Sequence, residues 1–280
     1  TRRSSDLIVD FKGVDCSLSY DGRNTNTGHT MTLSGGTDWD YEETLTLTSS
    51  ASFFSTSEVG NQIQLTGSDG TLIRFTIEGY SSTTVVTGRA HKTVPVGMRN
   101  TAISVWTRAV ETFSGLWHLE GKSVSIFGDG FVVANPNNSS YILATVTNGA
   151  ITMDKPYGVV HVGLPITCDV ETLDIDTWQG ETLLDKKIRI NKLTVLLESS
   201  RGLWAGSEIP DSDSDLSDLN ELKIRSSESY DDPVALKTGS VEVVIGTQWA
   251  DGGRVFLRQT DPLPLTILSI APAGLMPFRN

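Results

Sequence analysis

Short runs in which apolar and polar residues alternate recur along most of this chain. Between residues 30 and 95, apolar side chains occupy every second position in Leu45 and Leu47, in Ile63 and Leu65, and in Ile73, Phe75 and Ile77. Successive side chains of a strand point to opposite faces, and glycine or serine bounds each of these runs. The pattern predicts four to six short strands that form a small β-barrel module.

The stretch from Gly115 to Val133 predicts a β-hairpin. Residues 122–127 alternate in polarity, Gly128-Asp129-Gly130 can adopt the positive φ angles of a tight turn, and Phe131-Val132-Val133 returns. A second hairpin is predicted from Asn148-Gly149, the residue pair that type I′ turns favour most, with 141–147 and 150–154 as its two strands.

Further strands are predicted on both sides of these hairpins. Residues 100–113 fit a helical stripe as well as a strand, and their β-branched content favours the strand. Gly158–Leu164 reads as a buried strand that ends at Pro165. Shorter strands are predicted at 7–9, 240–246, 254–259 and 265–271.

The segment 186–198 predicts a strand with an interruption. Ile188 and Ile190 lie on one face of a continuous strand, whereas Leu193, Val195 and Leu197 have the opposite parity. A shift of one residue near Asn191 reverses the two faces, so we expect either a β-bulge there or a strand that leaves one sheet for another.

These elements predict an all-β protein. We expect an antiparallel β-sandwich or barrel core built from residues 1–29 and 96–280, with the module of residues 30–95 inserted into it. Turn-forming residues at 21–28 mark the first boundary. With 280 residues, the chain is long enough for one generous core or two modest ones.

Acidic residues are concentrated in one part of the chain. The formal net charge is −12, and residues 206–232 contain nine Asp or Glu against two Lys or Arg, so that they contribute −7. We interpret residues 206–233 as a solvated acidic surface loop. The overall charge argues against a surface that grips nucleic-acid phosphates.

Two further features narrow the class of protein. The sequence has no apolar run close to the roughly 20 residues that a membrane helix needs, so we expect no membrane span. Cys16 and Cys168 are far apart, and we expect two free, half-buried thiols, with one bridge as the alternative.

Candidate chemical groups occur in several places, but each has a structural interpretation that we favour. His118 and Glu120 could begin a metal site, although no further ligands follow at a suitable spacing. Asp211, Asp213 and Asp215 reproduce the first half of a calcium loop, but Leu216 and Leu222 replace its glycine and glutamate. The other candidates are an acidic cluster, a basic cluster and the remaining histidines: Asp38, Asp40, Glu42 and Glu43; Lys186, Lys187 and Arg189; His29, His91 and His161.

We therefore predict no enzymatic activity and no catalytic, cofactor-binding or metal residue. No Gly-x-Ser-x-Gly elbow is present, and the four histidines lie in four separate segments.

Four blocks in one order carry a resemblance to a phage tail family. The chain resembles large virion structural proteins of the tail-nozzle or tubular-tail-hub type over residues 103–271, and more loosely over residues 7–20. The blocks are GLWHLEGKSVSIFGDGFVV (115–133), NGAITMDKPYGVVHVGLP (148–165), KKIRINKLTVLL (186–197) and DGGRVFLRQTDPLPLTILSI (251–270).

The resemblance implies a β-rich subunit of the virion that is assembled in the host cytoplasm. It implies a homo-oligomeric ring, for instance a hexamer, around the channel through which DNA is ejected, and contacts with adaptor, portal-side and fibre proteins. Catalytic residues are not among the properties that it implies. An acidic channel wall would let DNA pass without holding it, in agreement with the net charge.

A glycan-binding β-module of a tail or cell-surface protein is the alternative interpretation. It requires an exposed aromatic platform on residues 30–95, formed from Trp39, Tyr41, Phe53 or Phe54. Glycan hydrolysis, with a pair of carboxylates from the acidic cluster at 38–43, is the weakest of the three hypotheses.

Overall fold

The computed structural model describes residues 10–175, 177–178, 181–183, 187–224, 234–246, 249–273 and 276–277. Within these ranges the regular structure is almost entirely β, which confirms the predicted all-β class. The short strand predicted at 7–9 lies outside the described residues. No helix in the described part of the chain has the length and apolar character needed to cross a membrane.

Twenty-five strands lie in the described ranges. The first twelve are β1 (Asp15–Asp21), β2 (Met31–Ser34), β3 (Leu45–Ser49), β4 (Gln62–Thr66), β5 (Leu72–Ser82), β6 (Val85–Ala90), β7 (Ala102–Ile103), β8 (Trp106–Ser114), β9 (Ser123–Gly128), β10 (Phe131–Ala134), β11 (Ala144–Thr145) and β12 (Ala150–Tyr157). Three 3₁₀ turns accompany them: Thr56–Glu58, Val96–Met98 and Trp117–Leu119.

The remaining strands are shorter on average. They are β13 (Val159–Leu164), β14 (Cys168–Glu171), β15 (Thr177–Trp178), β16 (Glu181–Thr182), β17 (Lys187–Arg189), β18 (Lys192–Ser200), β19 (Trp204–Gly206), β20 (Asn220–Glu221), β21 (Lys237–Val244), β22 (Ala250–Asp251), β23 (Phe256–Gln259), β24 (Ile267–Ala273) and β25 (Met276–Pro277).

The strands form one large sheet and several small ones. The large sheet has eight strands in the order β12-β8-β4-β5-β6-β3-β2-β7. The others have the orders β1-β13-β9-β10 with β11 beside β9, β14-β23-β19-β20, β22-β17-β25, β21-β18-β24 and β15-β16. The strands of the large sheet pair antiparallel.

Residues 102–114 close most of the large sheet into a small barrel. β7 pairs with β2, where Ile103 lies opposite Met31, and β8 pairs with β4, where Trp106 lies opposite Leu65. β7 and β8 are consecutive parts of one segment. The strands β4-β5-β6-β3-β2 therefore begin beside β8 and end beside β7, so that this one segment pairs with both ends of the path. Closure of this kind removes the unpaired edges that a small open sheet would expose.

The barrel interior is filled by the apolar positions of the alternating pattern. Met31, Leu33, Leu45, Leu47 and Phe75 are fully buried there. Residues 30–95 contain five strands, β2–β6, within the number predicted.

The chain divides into two compact units by its contacts. One comprises residues 19–118 and 147–160, and the other comprises the described residues of 1–18, 119–146 and 161–280. The first unit contains the 30–95 strands together with β7, β8 and β12, which continue their sheet. That residues 30–95 form a separate inserted domain stays a prediction.

The two predicted hairpins have different outcomes. β9 and β10 form the first, with Asp129 and Gly130 as its two-residue turn at φ 48° and 86°. The Asn148-Gly149 turn also forms, with φ 54° and 65°, and the backbones of Thr147 and Ala150 bond across it. The prediction that the segments on either side of this turn pair with each other is wrong, however, because β11 pairs with β9 and β12 pairs with β8.

The predicted interruption near Asn191 is confirmed as a change of sheet. β17 belongs to the sheet β22-β17-β25 and β18 to the sheet β21-β18-β24. Ile188, Ile190, Leu193, Val195 and Leu197 are all buried in one core cluster despite their opposite parities. The chain therefore buries both sets by changing sheets between residues 189 and 192.

The other predicted strands are present. The segment 100–113, which fitted either a helix or a strand, contains most of the strand β8. β13 is the predicted buried strand that ends before Pro165. The three closing strands correspond to β21, β23 and β24, which belong to different sheets.

Candidate functional site

The aromatic platform that the glycan-binding alternative requires on the barrel is not formed. Trp39 and Phe54 are only 5% and 3% exposed and belong to the barrel core. Phe53 packs against that core, with its ring centroid 5.0 Å from that of Trp106. Tyr41 is exposed, but its predicted aromatic partners are not beside it at the surface. Trp39, Phe53 and Phe54 therefore pack in or against the barrel core. They do not form the exposed platform that the glycan-binding alternative requires.

The acidic cluster of residues 38–43 fixes a loop. Both oxygens of Glu43 accept backbone N–H groups, from Thr37, Asp38 and Trp39, at 2.6–3.0 Å. These hydrogen bonds hold the pKa of Glu43 below its usual range. Asp40 accepts the backbone N–H groups of Glu42 and Glu43. A general acid needs a raised pKa, so this arrangement does not support glycan hydrolysis.

His118 and Glu120 are exposed at the 3₁₀ turn that precedes β9. The turn is completed by the bond from the Lys122 backbone N–H to the Leu119 carbonyl and by Gly121 at φ 70°. Across the described residues, no group of three or more His, Cys, Asp or Glu is placed to hold a metal ion.

The other histidines each have local partners. The Nε2 of His29 lies 2.6 Å from the Ser49 hydroxyl, and its ring lies edge-on to Trp106. The Nδ1 of His91 accepts the Arg74 backbone N–H. His161 is buried on β13 and stacks on Phe127. They therefore do not converge on one site.

The aspartates of residues 211–215 lie around a buried arginine. Arg258 on β23 is 2% exposed, and its guanidinium forms two 2.8 Å bonds to the carboxylate of Asp169 on β14. Its Nη1 also donates to the carbonyl oxygens of Ser212 and Asp215. The Asp215 carboxylate accepts the backbone and hydroxyl of Ser217. The acidic segment is thus anchored at this point by a protein cation.

The described residues of the basic cluster and the two cysteines lie on strands of different sheets. Lys186 lies outside the described residues, Lys187 is exposed, and Arg189 lies over the ring of Trp249. Cys16 and Cys168 are free, as predicted, but both are exposed, so the expectation of half-buried thiols is wrong. Their strands, β1 and β14, place them in outer parts of the sheets.

A buried carboxyl group that sequence reasoning missed lies at Asp261, after β23. It is 8% exposed, and its Oδ1 accepts the side-chain amides of Asn135 and Asn138 at 3.0 Å each. The Tyr141 hydroxyl is also bonded to it. Burial raises the pKa of Asp261 despite these bonds, and burial likewise raises the pKa of Tyr141.

Asp261 is part of the wall of a cavity of about 200 Å³. Tyr141, Arg201 and Glu221 contribute polar groups to the same cavity, and Leu263 contributes an apolar surface. In the sequence these residues are spread over more than 120 positions, and a single Asp in a Thr-Asp-Pro turn carries no motif. These residues come together only in the folded protein, so the sequence alone does not indicate the site.

The raised pKa of Asp261 predicts a specific pH dependence of stability. The folded protein holds this proton more tightly than the unfolded chain does, so the contribution to the free energy of unfolding is complete below the ordinary Asp pKa of about 3.9. That contribution is lost as the pH rises through the folded-state value. Urea unfolding measures this dependence. The free energy of unfolding of the wild type, relative to that of Asp261→Asn, should fall as the pH rises through this range.

Asp215→Asn is the matched control, because hydrogen bonds from Ser217 lower the pKa of Asp215. The wild-type advantage over this variant should instead fall as the pH is lowered. If the stability advantage of the wild type changed with pH in the same direction relative to both variants, the raised pKa of Asp261 would be contradicted.

A second candidate surface is the edge strand β14. It is the first strand in the order β14-β23-β19-β20, so no described strand pairs with its other side. All four of its residues are exposed, Val170 by 52%, and Ile166 and Leu173 on its flanks are 41% and 88% exposed. The unpaired side of an edge strand can pair with another chain, and these exposed apolar side chains add surface that a partner could cover.

Comparison with known proteins adds no assignment to these two surfaces. Neither a scan against protein-family models nor a search of curated proteins returns a match to this chain.

Proposed function

We propose that this chain is a structural subunit of a phage tail, of the hub or nozzle type, that assembles into a homo-oligomeric ring and catalyses no reaction. The four sequence blocks that resemble tail proteins support the proposal. Adaptor, portal-side and fibre proteins are its proposed neighbours, and the virion is its proposed location.

The observation that carries the proposal is the exposed edge of β14. Soluble monomers protect such edges with lysine, proline or a covering segment, because unpaired N–H and C=O groups attract other strands. β14 has the sequence Cys-Asp-Val-Glu, without lysine or proline, and exposed apolar Ile166 precedes it and Leu173 follows it. In a ring, a neighbouring subunit would cover this edge through a heterologous contact that repeats and closes.

The charge distribution is compatible with the proposed passage of DNA. The chain has a net charge of −12, and the described aspartates of residues 211–218 are partly or fully exposed. An acidic wall would repel phosphates and prevent the counterion release that drives DNA binding. We therefore propose transient passage of DNA without specific binding.

Multi-angle light scattering over rising concentration, combined with negative-stain imaging, tests the proposed ring. The wild type should form closed oligomers, and Val170→Lys should stay monomeric, because a lysine on an edge strand opposes pairing with a further strand. Val96→Lys is the control, since Val96 is 77% exposed in the barrel unit and does not lie on β14.

Two results would contradict the proposal. The wild type would remain monomeric throughout the concentration range, or Val170→Lys and Val96→Lys would assemble equally well.

A further inference from the structure

We propose that the cavity beside Asp261 is a binding site for one neutral sugar residue. The inference rests on the cavity alone and does not depend on the proposed role in a phage tail. It differs from the glycan-binding alternative above, since none of the barrel aromatics takes part.

The size of the cavity sets the scale of its ligand. Its volume of about 200 Å³ is below the range of about 300–1,000 Å³ that is typical of sites for drug-sized molecules. It corresponds to about seven water molecules at their liquid volume of about 30 Å³ each. One six-membered ring with its substituents is a ligand of this size, whereas a nucleotide or a peptide segment is larger.

One wall of the cavity is apolar. Val132 and Val234 line it together with Leu263, and all three belong to a cluster that also contains Phe127. Such a wall covers a face of carbon-bound hydrogens without hydrogen-bonding requirements. A pyranose ring presents a face of this kind.

The cavity lining also offers both donors and acceptors. Asp261 and Glu221 supply carboxyl oxygens, Tyr141 supplies a hydroxyl, and Arg201 supplies a guanidinium. The Arg201 side chain is positioned by a 3.1 Å bond from its Nη1 to the Ala235 carbonyl. Ring hydroxyls both donate and accept, so they can satisfy such a mixed set of groups.

Charge selects against other small ligands. Among the described residues, the cavity is lined by two basic residues, Arg201 and Lys223, and by two carboxyl groups, Glu221 and Asp261. With equal numbers of each sign, these groups favour neither an anion nor a cation. A purely apolar ligand would remove the charged Arg201 and Glu221 side chains from water without offering them a hydrogen bond. A neutral polyhydroxyl ring avoids this cost.

Gly202 lies beside both the carboxyl group and the apolar part of the lining. Its φ is +82°, a conformation that glycine adopts readily, and a Cβ there would lie at ordinary contact distance, 3.4 Å from the Asp261 Cβ and 3.5 Å from the Leu263 Cδ1. The backbone conformation therefore favours glycine at this position of the cavity.

Protein-observed ¹H–¹⁵N spectra with a panel of monosaccharides test the proposal. Glucose, galactose, mannose, rhamnose and N-acetylglucosamine would be titrated singly to tens of millimolar, with inorganic phosphate as a parallel titration. At least one sugar should produce saturable shifts at the amides of Gly202, Leu222 and Leu263, and phosphate should produce none there.

Val132→Phe fills the cavity and should weaken that binding at least about tenfold, which corresponds to about 1.4 kcal/mol. Val96→Phe adds the same side chain at a position that is 77% exposed in the barrel unit and outside the cavity lining, and it should bind as the wild type does. The spectrum of each variant without sugar reports whether it is folded. If Val132→Phe does not fold, Lys223→Glu replaces it as a change at an exposed residue of the cavity lining and should weaken binding likewise.

The proposal is overturned if no sugar of the panel causes saturable shifts, if the shifts lie outside the cavity, if both phenylalanine variants bind equally, or if phosphate binds there in preference to every sugar. Light scattering measures ring assembly and the shifts of the cavity amides measure sugar binding, so the two proposals fail independently.

Discussion

Replacing Trp106 with alanine is expected to lower the free energy of unfolding of the barrel unit by about 3–5 kcal/mol, the range for large-to-small changes at buried aromatic residues. Trp106 is 5% exposed, lies opposite Leu65, and contacts the rings of His29 and Phe53. Its indole N–H also donates to the His29 carbonyl at 2.9 Å. The variant therefore loses apolar burial and a hydrogen bond in the segment that closes the barrel.

Urea denaturation followed by circular dichroism measures this loss. Trp117→Ala is the control, because Trp117 is 69% exposed and its removal empties no core position. A Trp106→Ala variant as stable as the control would show that residues 102–114 are not needed to hold the barrel together.

Replacing Arg258 with methionine is expected to lower the free energy of unfolding by about 3 kcal/mol, the lower end of the range for breaking a buried ion pair. The Asp169 side chain is 36% exposed and can be hydrated in the variant, which moderates the loss. The carbonyl oxygens of Ser212 and Asp215 lose their donor, so the acidic segment should also detach from β23.

Hydrogen exchange at Ser217 and Leu219 distinguishes this local effect from general destabilisation. Their backbone N–H groups bond within the segment, to Asp215 and Leu216 respectively. Exchange there should accelerate in Arg258→Met far more than in Arg254→Met, since Arg254 forms an exposed ion pair with Asp174, which lies outside the acidic segment. Equal acceleration in both variants would contradict the anchoring role of Arg258.

Local patterns in the sequence were sufficient for most strands and for two turns. The alternation at Leu45 and Leu47 places both side chains in the barrel, because a period of two is a property of the extended backbone itself. Asp129-Gly130 and Asn148-Gly149 form their turns because positive φ angles depend on a few neighbouring residues.

The change of sheet near Asn191 was also predictable from local information. Two apolar sets of opposite parity cannot both face one core from a regular strand, so the chain must break its register. Residues 190–191 are that break.

Strand partners were less predictable than the strands. The Asn148-Gly149 turn forms, yet β11 and β12 pair with β9 and β8. A turn type fixes the direction of the chain over a few residues, whereas a ladder depends on which distant strand buries more apolar surface. Closure of the barrel by residues 102–114 depends on such distant pairings too.

The candidate sites divide in the same way. The glycan-binding alternative required Trp39 or Phe54 to contribute to an exposed aromatic platform, but packing places both in the core. Asp261 was not a candidate, since its partners Asn135, Asn138 and Tyr141 lie more than 100 residues earlier in the chain.

By itself, the sequence determined the all-β class, the positions of most strands, the two tight turns and the break at residue 191, because each depends on backbone geometry and side-chain alternation over a few residues. The tertiary structure alone decided which strands pair, which aromatic and acidic residues are buried, and that Arg258 anchors the acidic segment. It also brought Asp261, Tyr141 and Arg201 around one cavity. These features depend on contacts between residues far apart in the chain, for which local patterns carry no information.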